Sequence, residues 1–94
     1  MSDNSVNNLH LTLHKEWFDA IASGVKHEEY REIKPHWQSR LIGKSYGEVY
    51  FTNGYGKDKP FMRVKCLGIV QEALKNRFVI KLGTILEIKN YQKK

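Results

Sequence analysis

The sequence predicts an α+β fold, a small β-barrel of about five or six strands accompanied by two short helices. Three observations predict it. The 94 residues supply one hydrophobic core but are too few for a core plus an independent second unit. Segments of period two recur between Leu9 and Lys89, whereas helical spacing is confined to two short stretches before Lys44. One later strand carries charged and apolar residues at the same parity, the pattern of a strand that turns a barrel corner.

The elements follow in order. Met1 to Asn8 is polar and reads as a disordered lead-in, so the folded domain is expected over residues 9–90, with a basic tail over 91–94. Leu9 to His14 alternates strictly and puts three leucines on one face, the period of a half-buried strand. From Lys15 to Ser23 the spacing of Trp17 and Ile21, with Phe18 beside them, predicts a helix with an apolar stripe. Gly24 suits the left-handed position that ends it. Val25 to Glu32 reads as a charged strand in which Val25 and Tyr30 pack and Glu28 is solvated. Pro35 opens a second helix that carries Trp37 and Leu41 on its core side and ends at Gly43. Glu48 to Thr52 is a strand with Val49 and Phe51 inward, and Asn53 to Pro60 is a loop. The strand from Phe61 to Val70 has Arg63 and Lys65 at the parity of Leu67 and Ile69, which predicts a bend or bulge near Gly68. Arg77–Leu82 and Thr84–Lys89 read as two strands joined at Gly83.

Composition narrows the function classes. Sixteen Lys and Arg against ten Asp and Glu leave a formal charge of +6, which favours polyanionic partners, nucleic acid first among them. A charge of this size also serves solubility alone. The single Cys66 excludes an intramolecular disulfide and a multi-cysteine metal site, and its strand setting predicts a buried, inert thiol in a reducing cytoplasm. His10 and His14 share a strand face, but about 13 Å of strand separates them, too far for one ion. No metal, cofactor or membrane partner is expected, because no apolar run approaches the length of a span and the first residues lack the pattern of a signal peptide.

The residues that carry chemistry cluster in Gly24-Val25-Lys26-His27-Glu28-Glu29-Tyr30-Arg31. Glu29 and Arg31 are two apart on a strand and share a face, and Lys26 stands at the junction where curvature swings it to the same side. Such a trio can bind phosphate through Arg31, orient a base edge through Glu29 and use Lys26 as proton acceptor or oxyanion partner. The same residues equally suit an ion-pair network on a sheet surface. Lys34 and Arg40 add positive potential nearby. Asn53 and Tyr55 suit the opposite lip of a cleft, with Tyr55 placed to stack on a base, and Arg63 extends the basic stripe. A plain connection with a solvated tip explains the loop residues as well.

Gly24, Lys26, Glu29 and Arg31 match the pattern Gly-x-Lys-x-x-Glu-x-Arg, and in this the chain resembles the ASCH (activating-signal-cointegrator homology) domains, small barrels of the PUA-like class. The likeness in element order runs from Leu9 to Lys89. It implies a PUA-like barrel whose motif lies in a cleft beside the first helix and contacts RNA, nucleotides or modified nucleosides. Some members are enzymes, among them an acetylcytidine amidohydrolase with threonine at the third position after its lysine and a glutamate from a later helical insertion. Here that third position is Glu29, and Ile69 to Phe78 leaves room only for a short turn, in which Glu72 has no assignable role. The resemblance therefore implies a binding module. The alternative is a small hydrolase of acylated cytidine or RNA, with Lys26 and Glu29 as its catalytic pair.

Overall fold

The computed structural model describes residues 7–91 and has the expected α+β architecture, a curled five-stranded sheet with two helices. Strands β1 (Asn8–Leu13), β2 (Glu28–Glu32), β3 (Glu48–Asn53), β4 (Phe61–Glu72) and β5 (Arg77–Lys89) are arranged in the order β1-β3-β4-β5-β2. Helix α1 (Lys15–Ala22) follows β1, and α2 (Pro35–Leu41) follows β2. β1 pairs with β3 in parallel, while the other three pairings are antiparallel. β1 and β2 are thus the two edges of the sheet, and each leads directly into a helix.

Alternation places the core where the sequence puts it. Leu9, Leu11 and Leu13 of β1, Val49 and Phe51 of β3, and Met62 and Val64 of β4 are buried together with Phe78, Ile80 and Leu82 of β5. Phe18, Ile21 and Leu41 bring the helices onto this core. Gly24 has φ +84° after α1 and Gly43 φ +69° after α2, the left-handed conformation that stops a helix without a Cβ penalty. The bulge is also present. The β4–β5 register slips between Arg63 and Gly68, where Gly68 takes φ +140°, and after it Ile69 packs on the core while Leu67 stays exposed.

Four expectations change. Arg77–Leu82 and Thr84–Lys89 form one strand rather than two, so the sheet has five strands. Gly83 is not a turn; it lies opposite the bulge, and a Cβ there would come 3.0 Å from Leu67 Cδ2. The charged strand begins at Glu28, because Val25 and Lys26 are held by hydrogen bonds from their N–H groups to the Ala20 carbonyl, which prolongs the end of α1. Val25, Tyr30 and Trp17 are exposed rather than packed, since the inward stripe of α1 runs through Phe18 and Ile21 and turns Trp17 outward.

At the chain ends, β1 starts one residue earlier than Leu9, at Asn8. Tyr91 packs on the core, and its hydroxyl donates to Asp19 at 2.8 Å. Residues 1–6 of the expected lead-in and residues 92–94 of the expected tail lie outside the described residues. Among the described residues, no helix is long and apolar enough to cross a membrane.

Candidate functional site

Lys26, Glu29 and Arg31 meet at the seam of the curled sheet. Glu29 points to the buried side of β2 and is 6% exposed, the only buried charged residue among those described. A lone carboxylate there would be costly, and two cations compensate it. Arg31 Nη2 lies 2.9 Å from Glu29 Oε2, and Lys26 Nζ lies 3.6 Å from Oε1. Arg31 Nη2 also donates to the Thr12 carbonyl of β1 at 3.3 Å. Since β1 and β2 are opposite edges, this guanidinium ties the two edges of the half-barrel. Its Nε is buried without a partner, and the guanidinium lies 5.0 Å from the Trp37 ring centroid.

On the Lys26 side a cavity of about 620 Å³ opens between the end of α1, the start of β2 and the β4–β5 bend. Trp17, Val25, Tyr30 and Leu67 give it apolar walls, Lys26 and Lys81 bring positive charge, and Glu28, the partner of Lys81, brings a carboxylate. Its volume falls within the range of small-molecule sites. Lys26 Nζ lies 5.3 Å from the Trp17 ring centroid and 4.6 Å from that of Tyr30, within cation–π range. Arg77 lies 4.1 Å from the same tyrosine ring. Two aromatic rings thus frame the amino group, and one carboxylate anchors it.

The Tyr30 hydroxyl donates to Glu28 Oε1 at 2.7 Å, and Lys81 lies 3.6 Å from Oε2. That hydrogen bond, followed by the nearby cations, holds the Glu28 carboxyl below the ordinary glutamate value. A lowered folded-state value contributes stability above the ordinary range, about 4.3, and loses it as pH falls through the folded value. In Tyr30→Phe the Glu28 carboxyl should titrate closer to the ordinary value in a side-chain NMR titration. An unchanged titration would show that the bond is not made in solution.

The remaining residues singled out from the sequence divide. Asn53 donates from Nδ2 to the Leu13 carbonyl at 2.9 Å and so pins the start of the β3–β4 loop to the end of β1. Together with Tyr55 it lines a second cavity of about 360 Å³, bounded by residues 12–15 and 53–55. Lys34 is the residue before α2, makes no side-chain bond to the helix end, and sits 3.3 Å from Glu32, both largely exposed. Arg40 is exposed on the last turn of α2, and its carbonyl accepts from Tyr46. Arg63 does not join the cleft. It lies on the sheet face opposite Val64 and Met62, 2.9 Å from Glu48 and 3.2 Å from Glu87, so its charge is already matched.

Sequence reasoning missed Trp17, Leu67 and Lys81 as cavity residues. Helical spacing puts Trp17 on the apolar stripe with Ile21, whereas the buried residues of α1 are Phe18 and Ile21. Leu67 and Lys81 carried no signal, since their place depends on how β4 and β5 bend. The Ala73–Lys75 segment is a single 3₁₀ turn, as the short connection predicted, and Glu72 is occupied by Arg77 at 2.6 Å. Cys66 is half-buried, and burial pushes its thiol up, away from thiolate chemistry. Among the described residues, no group of three or more His, Cys, Asp and Glu is placed to hold a metal ion. Compared with known protein families, curated proteins and solved structures, the chain has no match.

Proposed function

We propose that the chain is an ASCH-type, PUA-like module that binds RNA or nucleotides in the cleft formed by Lys26, Glu29 and Arg31. One observation carries the reading. The buried Glu29 carboxylate bridges Lys26, which lines a 620 Å³ cavity with aromatic walls, to Arg31, which lies behind it at the seam. An apolar cavity takes a base or nucleoside, and the cations beside it take phosphate or a base oxygen. Glu29 is too enclosed to read a base freely, so its part is to hold Lys26 and Arg31 in place. Lys34 and Arg40 add surface potential, in keeping with the net charge of +6.

A second reading uses the same cleft for hydrolysis of acylated cytidine or RNA. It is favoured by Lys26 Nζ, 16% exposed as a side chain and 3.6 Å from a carboxylate, an arrangement that can move a proton. Glu29 at the position of threonine, and the single turn in place of a helical insertion, favour binding over this chemistry.

Titration of labelled RNA at several salt concentrations tests both. Binding should weaken with rising salt, and Lys26→Ala combined with Arg31→Ala should lower affinity by roughly a hundredfold and flatten the salt slope. Lys26→Ala alone, which leaves the tie between β1 and β2 in place, should have a smaller effect in the same direction. Undiminished binding in the folded double variant would remove the cleft from consideration. Release of acetate from acetylcytidine, abolished in folded Lys26→Ala, would make the hydrolase reading the correct one.

A further inference from the structure

The two cavities are linked through the ion bridge. Lys26 lines the first cavity and pairs with Glu29; Glu29 pairs with Arg31; Arg31 donates to the carbonyl of Thr12, whose residue lines the second. Each cavity has an exposed aromatic side chain at its wall, Trp17 at 45% in the first and Tyr55 at 92% in the second. The loop that carries Tyr55 is held at its base by the Asn53 bond to Leu13. Beyond that anchor, Tyr55 stands between Gly54 and Gly56, which adopt φ +78° and +103°, and Lys57 and Lys59 follow.

We propose that the second cavity is a second nucleotide subsite and that the partner is a single strand spanning both cavities. This rests on the nucleotide reading of the first cavity. The strand would place one base in the 620 Å³ cavity, pass its backbone by Arg31 at the seam and stack a later base on Tyr55. The two cavities select single strands for a physical reason. A projecting aromatic ring can stack only on a base whose face is free, and in a duplex the neighbouring base pairs cover those faces.

Binding of uridine monophosphate, a short uridine oligonucleotide and a duplex of the same length tests the proposal, with the full chain and with Tyr55→Ala. Tyr55 is almost fully exposed, so its removal leaves the core untouched. The oligonucleotide should bind roughly tenfold more tightly than the monophosphate, the gain expected of one added stacking contact. It should also bind more tightly than the duplex. In Tyr55→Ala the gain from length should disappear. An oligonucleotide that binds no better than the monophosphate, or keeps its advantage in Tyr55→Ala, overturns the second subsite while leaving the first intact. Equal affinity for duplex and single strand overturns the selection. Absence of binding by all three ligands overturns the nucleotide reading itself, and the second subsite with it.

Discussion

Glu29→Ala should unfold the protein more readily by about 3 kcal/mol, the low end of the cost of breaking a buried ion pair. For a domain of this size the fall in Tm should be roughly 12–24 °C. The low end applies because Lys26 and Arg31 keep 16% and 20% of their side chains exposed and can regain some water. The loss is still large, since removal of one carboxylate strands two cations and loosens the tie from Arg31 to Thr12. Glu32→Ala on the same strand is the natural control. Its partner Lys34 is 56% exposed and Glu32 itself 58%, so the change should stay within about 0.5 kcal/mol. Urea denaturation of both variants decides the matter, and equal losses would show that the bridge does not hold the seam. Glu29→Gln keeps the shape without the charge and should recover part of the stability but not the placement of Lys26.

Phe51→Ala should cost about 3–5 kcal/mol, a large share of the stability of any small domain. Phe51 is fully buried on β3, between β1 and β4, with Leu11 and Met62 as its register partners, so its truncation leaves a cavity inside the core. On the same strand Tyr50 faces the other way, against His10 and Phe61, and Tyr50→Ala should cost less. The two largest effects also differ in kind. Phe51→Ala should lower stability but leave ligand affinity near that of the parent at temperatures where the variant is folded. Glu29→Ala should change both, because its carboxylate belongs to the core edge and to the cleft. If Phe51→Ala altered affinity as strongly as Glu29→Ala in the folded state, the cleft would not be set by the ion bridge.

The legible part of the fold rests on local geometry. The period of Leu9, Leu11 and Leu13 fixes which face of β1 is inward whatever β1 pairs with. Gly24 and Gly43 mark helix ends through a backbone conformation that their own lack of a side chain permits. The mixed parity of Arg63, Lys65, Leu67 and Ile69 reveals a bulge because no straight strand can satisfy it. Glu29 and Arg31 share a face for the same reason of period, so the core of the candidate site was readable from eight consecutive residues.

Other features depended on partners distant in the chain. Gly83 looks like a turn until β5 is seen to run through it opposite the β4 bulge. Arg63 looks available until Glu48 and Glu87 close on it from the neighbouring strands. Trp17 fits an inward stripe, and only the placement of Phe18 on the core turns it toward the cavity. Nothing local announced that Arg31 would reach Thr12, which requires the sheet to curl until one long side chain can span its two edges. Residue order alone set both helices, the inward faces of β1, β3 and the first half of β5, and the pairing of Glu29 with Arg31 on one face, because these follow from backbone period and residue chemistry. Which carboxylate each cation meets, and where the cavities open, came from the packed fold, because both depend on strand register and sheet curl acting between residues far apart in the chain.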